Sequence, residues 1–141
     1  MPGAVGIHHI KPANVSLLES VEADVFDAPI DPAALAIYVN APGHALFVAV
    51  EKRRVVAQIR GIIHRHPDAL PSLFIENLGV TPRLQRRRIA TRLVDALFAW
   101  AAESGVSGSF WVAAEGDNEQ AIGFYQSLGL VPKPMIYFER D

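Results

Sequence analysis

No cysteine occurs among the 141 residues, which removes disulfides, thiolate zinc sites and thiol nucleophiles together. No stretch approaches the roughly 18 consecutive apolar residues of a membrane-spanning helix, although half of the chain is hydrophobic. Neither sign of charge dominates: 13 Lys and Arg stand against 15 Asp and Glu, a formal net charge of −2. That balance argues against a general nucleic-acid binder, whose domain is usually strongly basic. Internal repeats and low-complexity segments are missing too. The opening MPGAVGIHHIKP lacks the basic and then apolar pattern of a secretory leader. The default expectation is one soluble cytoplasmic domain over residues 1–141, with a sizeable core and no membrane partner.

What is present alternates between the two periodicities of secondary structure. Gly3 to Lys11 suits a first strand. In Ala13 to Phe26, Val15, Leu18, Val21, Val25 and Phe26 share one face at helical spacing. Pro29 and Pro32 break that run, and a short helix follows with Pro32 in its first turn. HALFVAVEKRRVVAQIRGIIH joins two β-branched and aromatic runs through Glu51 to Arg54, the pattern of a hairpin. LFIENLGV is a third, mostly apolar strand. Ile89, Leu93, Leu97 and Trp100 then mark a helix from about Gln85 to Ser104, ended by Gly105. SGSFWVAAE predicts a strand, NEQAIGFYQSLGL a helix stopped by Gly129, and KPMIYFERD a last strand. The strand–helix–strand crossover over 73–115 requires a parallel pair, and the earlier strands are expected antiparallel. The class is α/β: a mixed, mostly antiparallel sheet with a central parallel pair and helices on both faces.

One stretch, IENLGVTPRLQRRRIATRLV, poses a physical problem. Arg86, Arg87 and Arg88 fall where the first turn of a helix is expected, and basic side chains there oppose a helix end that is already positive. An anion resolves the conflict. The first amides of a helix have no partners of their own, and guanidinium groups grip phosphate through paired hydrogen bonds. The plain alternative is a solvated basic turn. Neither the Walker nor the Rossmann glycine pattern is present.

The same residues resemble the acetyl-CoA signature of the GCN5-related N-acetyltransferase (GNAT) superfamily. Its pattern Q/R-x-x-G-x-G/A reads Gln85-Arg86-Arg87-Arg88-Ile89-Ala90 here, followed by Thr91. Asn118 to Leu130, NEQAIGFYQSLGL, is similar to a second element of that family, N-x-x-A-x-x-F-Y-x-x-x-G-F/L. The order of elements along the whole chain is also similar. The departure is Arg88, which stands where the family has glycine. With φ negative inside a first helical turn, its amide would still be available.

The resemblance implies a GNAT fold and acetyl-CoA as donor, with backbone amides from Arg86 to Ala90 around the pyrophosphate. Asn118 belongs with the cofactor-binding set. It further implies that Leu78, Gly79 and Val80, on a bulged strand, hold the pantetheine and the thioester oxygen. A strand glycine independently suits a bulge or a close backbone approach. Acetyl transfer to an amine needs a neutral amine, a polarised carbonyl and a proton for the leaving thiolate. Tyr125 is the family-matched proton donor, although its helical spacing with Ala121, Phe124 and Leu128 equally suits a core aromatic. Glu76 is the candidate base or amine-attracting group, a carboxylate inside an apolar strand where burial without function is costly.

For the acceptor, VFDAP, the Pro-containing loop before IENLGV and PMIYF resemble the aminoglycoside 3-N-acetyltransferase subgroup. A polycationic sugar needs several carboxylates in one cleft. Asp27 and Glu115 are the candidates, with Asp24, Glu76, Asp117 and Glu139 behind them. The expected reaction moves an acetyl group to a primary amine of a small molecule by direct attack on the thioester. Alternatives are acetylation of a protein lysine or N-terminus, and a non-catalytic acyl-CoA-binding regulatory module. The five histidines are scattered, without a carboxylate at zinc spacing, so no metal is expected. No nucleic-acid partner is expected, and a homodimer through the last strand stays open.

Overall fold

The computed structural model describes residues 4–141, which fall into two compact units, Met1–Trp111 and Val112–Asp141. One five-stranded sheet runs in the order β1 (Val5–His9), β2 (His44–Glu51), β3 (Arg54–His64), β4 (Ser72–Val80), β5 (Phe110–Val112). The first four strands pair antiparallel. β5 lies beside β4 in parallel, as the crossover requires. Gly3, included in the expected first strand, lies outside the described residues. Lys52 and Arg53 close the β2–β3 hairpin with φ of 49° and 66°. Two positive φ values in a two-residue turn match the right-handed twist of the flanking strands.

Register assigns the two faces of the sheet. Leu46 opposes Arg60 and Val48 opposes Gln58 on β2–β3, while Arg60 opposes Asn77 and Gln58 opposes Gly79 on β3–β4. These residues share one face, because directly paired strand residues point the same way. The helix α1 (Pro32–Tyr38) and a 3-10 helix (Pro12–Glu19) cover it. Leu18 and Val25 join Leu46 and Val48 in the core there, with Leu35 and Tyr38 packed against them. The opposite face receives α2 (Ile89–Glu103), which buries Ile89, Leu93, Val94, Leu97 and Ala101. Each large aliphatic side chain so buried contributes roughly 1.5–3 kcal/mol. Gly61 lets α2 come close: a Cβ there would stand 2.8 Å from Leu97 Cδ1.

Three expected elements change. The helix over Ala13 to Phe26 is instead the short 3-10 helix, and Asn14 leaves helical geometry at φ −129°. Its side chain bonds locally, donating to the His9 carbonyl and accepting from the Lys11 amide. Such local bonds compete with the helical ladder. The arginine-bearing helix begins at Ile89, not Gln85. The expected last strand does not form, and Met135, Ile136, Tyr137 and Phe138 are exposed. A strand is stable only with a ladder partner, and none pairs with this segment among the described residues. No helix is long and apolar enough to cross a membrane among those residues. In the second unit, α3 (Glu119–Ser127) forms as expected, and Gly129 follows it at φ 87°.

Gly79 sits in regular register opposite Gln58. A Cβ at Gly79 would lie 2.3 Å from the Val25 carbonyl oxygen. That distance is far inside van der Waals contact, and backbone must move to relieve it. Gly79→Ala is therefore expected to destabilise the protein by at least about 3 kcal/mol in urea unfolding. A loss below about 0.5 kcal/mol would show that the 24–27 segment yields freely.

Candidate active site

The site begins at the bulge on β4. Arg60 pairs with Asn77 and Gly61 with Ile75, so Glu76 is the extra residue. The bulge thus lies at Glu76, not among Leu78, Gly79 and Val80 as expected. Gly79 answers the other requirement named for it, a close backbone approach. Glu76 is exposed rather than half-buried: the extra residue turns its side chain out of the ladder. β5 has three residues against nine in β4, and the Leu73 amide bonds to the Ser109 carbonyl at 2.8 Å. β5 therefore accompanies the first half of β4, and Leu78, Gly79 and Val80 run on beyond it.

After β4 the chain enters a 3-10 turn, Pro82–Leu84, anchored by Arg83. Its guanidinium donates to both Glu22 carboxylate oxygens and to Glu51 Oε1 at 2.8 Å. Glu51 is only 4% exposed, and a buried carboxylate needs such a partner. The hydrogen bond from Arg83 holds the Glu22 carboxyl below its ordinary value. Leu84 is buried, and Gln85 Nε2 donates to the Val80 carbonyl at 3.2 Å. These contacts fix where the arginine loop leaves the sheet.

Arg86, Arg87 and Arg88 lie in the loop that feeds α2, not in its first turn. Their side chains are exposed, and none is in an ion pair among the described residues. Arg86 and Arg88 take positive φ, 66° and 61°. The expectation of negative φ at Arg88 is overturned: it precedes the helix as N-cap in the left-handed region. That conformation explains why glycine suits the position in the related motif. Backbone that alternates hand over successive residues turns its N–H groups inward into an anion-binding concavity. No side chain caps α2 at Arg88, so its first amides, at Ile89, Ala90 and Thr91, stay available. Ala90 and Thr91 are half-buried and Ile89 is buried in the core. Three unpaired guanidinium groups at the positive end of a 15-residue helix fit a pyrophosphate.

A cleft of about 300 Å³ opens on the α1 face of the sheet. Phe26, Leu35 and Leu46 supply apolar walls; Asp27, Asp31, Tyr38 and Arg60 supply polar ones. Asp31 Oδ1 caps α1 by accepting from the Ala33 and Ala34 amides. Asp27 accepts from Asn77 Nδ2 at 3.4 Å. Asn77 in turn accepts from Gln58 Nε2, which also donates to the Val25 carbonyl. Burial and, after it, the Glu76 carboxylate push the Tyr38 phenol up to about 12 against the opposing Arg60 guanidinium. Glu76 and Arg60 therefore both act on this end of the cleft. Of the expected acceptor residues, the first unit places Asp27 in the cleft. Tyr38, Arg60 and Asp31 were not anticipated. Arg60 carried a usable signal, a charge within the apolar run VVAQIRGII, and Asp31 stands directly before Pro32 as caps do.

The second unit carries the remaining candidates. Asn118 Oδ1 caps α3 by accepting from the Ala121 amide at 3.1 Å. Glu115 is exposed, and its carbonyl accepts from the Asn118 amide. Tyr125 is half-buried, with Phe124 edge-on at 5.4 Å. Burial raises its phenol above the ordinary value, which keeps the proton in place at neutral pH.

An α/β domain with an anion cradle between a strand and a helix defines a class of phosphate-bearing-ligand binders. The chain matches the acetyltransferase (GNAT) family over residues 15–130, and it belongs to that family. It is accordingly an acyltransferase whose donor is acetyl-CoA. A sequence search of curated proteins found no match. Among solved structures, the fold is similar to AAC(6')-Iy in complex with the bisubstrate analogue CoA-S-monomethyl-acetylneamine, at 20% identity and TM-score 0.81, covering 99% of each chain. It is similar to an aminoglycoside acetyltransferase, meta-AAC0020, from an uncultured soil metagenomic sample, in complex with trehalose. There the identity is 19% and the TM-score 0.81, over 97% of this chain and 95% of that one. A transcriptional regulator from Bacillus halodurans C-125 is similar at 15% identity and TM-score 0.80, over 98% of this chain and 100% of that one. These likenesses establish the fold.

The left-handed Arg88 gives the loop a measurable signature. A non-glycine residue in that region carries about 1–2 kcal/mol of strain. Arg88→Gly is expected to raise stability by about 1 kcal/mol in urea unfolding. Lowered stability would mean that the Arg88 side chain supports the fold.

Proposed function

We propose that the protein moves an acetyl group from acetyl-CoA to a primary amine of a small molecule, by direct attack on the thioester. The observation that carries the proposal is the loop from Gln85 to Thr91 after β4, whose three consecutive arginines form no ion pair among the described residues and whose helix-start amides are uncapped. Backbone groups from Arg86 to Ala90 hold the pyrophosphate. Leu78, Gly79 and Val80 offer backbone to the pantetheine. Asn118 contributes by capping α3. Acetyl-CoA supplies the activated acyl group. Tyr125, protonated at neutral pH, donates to the leaving sulfur, and Glu76 draws the amine in and accepts its proton through water.

The cleft beside α1 supports a small acceptor over a protein lysine or N-terminus. Its volume of about 300 Å³ is at the lower end of small-molecule sites. Aminoglycosides are one candidate class, since two structural neighbours are described as aminoglycoside acetyltransferases or bound to an acetylneamine analogue. The neighbour whose acetylated position is named is a 6′ enzyme, where the sequence resembled the 3-N subgroup. Asp27 is the carboxylate nearest that role in the first unit; Glu115 is held as a second. The family match runs across both units, which supports one acetyltransferase domain over the chain. A homodimer is compatible with the exposed Met135, Ile136, Tyr137 and Phe138, and a cytoplasmic site of action with the cofactor.

Release of coenzyme A thiol from acetyl-CoA, assayed over aminoglycosides, diamines, amino acids and lysine peptides, tests the reaction. Turnover is expected with a small amine. Acetyl-CoA binding without turnover would favour a non-catalytic acyl-CoA-binding module. Tyr125→Phe is expected to lower kcat by about 100-fold while the Kd for acetyl-CoA moves less than about twofold. An equal loss of both would remove the proton-donor role.

A further inference from the structure

We propose that the acceptor is an amine that also carries a carboxylate, with Arg60 and Tyr38 as the groups that recognise it. This rests on the acetyl-transfer reading above and specifies the substrate class of the same site.

Arg60 Nε and the Tyr38 hydroxyl are both buried without a hydrogen-bond partner among the described residues. Both residues line the cleft. Arg60 is also in no ion pair among those residues, since the three salt bridges engage Arg54 and Arg83. Arg60 is half-buried, and a guanidinium whose Nε is shut off from water without a partner is costly. Of the carboxylates that line the cleft, Asp31 caps α1 and Asp27 accepts from Asn77. A ligand carboxylate that turned the Arg60 guanidinium and the Tyr38 hydroxyl toward the cleft would satisfy both donors. Guanidinium and phenol together offer donors to the two oxygens of a carboxylate.

The same cleft also holds negative charge. Asp27 lies in the same cleft, and the Glu76 carboxylate is close enough to act on Tyr38. An ammonium group is attracted to these carboxylates while the ligand carboxylate meets Arg60. A purely polycationic acceptor would leave Arg60 unpaired and place like charge beside it, which disfavours that class. The cleft thus sorts acceptors by the presence of an anion as well as an amine.

The test uses the full chain with saturating acetyl-CoA and matched acceptor pairs, each an amino acid and its primary amide, with neamine alongside. Thiol release gives kcat and KM for each, and calorimetry follows acetyl-CoA binding. The carboxylate member of at least one pair is expected to show a KM at least about tenfold lower than its amide. Arg60→Gln is expected to bring that ratio to near unity, and Arg60→Lys to fall between, because lysine keeps charge without the planar fork. Tyr38→Phe, which removes one oxygen atom, is expected to raise KM for the carboxylate member by about tenfold with a smaller change in kcat. Preference for the amides or neamine, or a preference that Arg60→Gln leaves intact, would overturn the proposal. No turnover with any acceptor, whether acetyl-CoA still binds or not, would overturn the acetyl-transfer reading and the proposal that rests on it.

Discussion

The site depends on how closely one carbonyl approaches one glycine. The Val25 carbonyl presses on Gly79 so tightly that no Cβ fits between them, and Gln58 Nε2 donates to the same oxygen at 3.1 Å. That single contact brings Phe26 and Asp27 against β4. It joins the wall of the cleft beside α1 to the strand that runs on into the arginine loop. Gln58, fully buried, extends the link through Asn77 to Asp27. A backbone clasp of this kind holds position better than a side-chain contact, because neither partner has rotamers to change.

From Gly79 the chain passes in a few residues to the arginine loop. Arg83 ties the turn after β4 to Glu22 and to the buried Glu51, so the exit from the sheet is fixed electrostatically. The loop that follows is strained, with positive φ at Arg86 and Arg88. Strain of this sort persists where surrounding structure over-determines it, and it concentrates at ligand sites. Here it accompanies uncapped amides at the start of α2 and three guanidinium groups that form no ion pair among the described residues. An anion bound in the loop would offset the cost.

Much of this was legible in the sequence, and the failures have identifiable causes. The sheet strands, the hairpin at Lys52 and Arg53, and α3 followed from period and turn chemistry. The stretch from Ala13 to Phe26 misled because its apolar spacing is helical, while Asn14 bonds locally and breaks the helix. The last strand misled because alternation in KPMIYFERD says nothing about whether a partner edge exists. At the site, the motif located the loop but not its backbone hand: Arg88 keeps the left-handed conformation of the glycine it stands for. Glu76 was singled out as a charge in an apolar strand, and the bulge explains its tolerance by turning it to solvent. The same logic applied to Arg60 would have found the cleft. What no sequence pattern could show is that Arg60 forms no ion pair among the described residues, since that depends on which carboxylates the folded chain brings to it.

We propose that the arginine loop and the start of α2 hold a pyrophosphate. Titration calorimetry with acetyl-CoA and with S-acetylpantetheine, which shares the thioester and lacks the pyrophosphate, tests it directly. Acetyl-CoA is expected to bind at least about 100-fold more tightly, a difference of about 2.7 kcal/mol. Equal affinities, or no binding of acetyl-CoA, would contradict it.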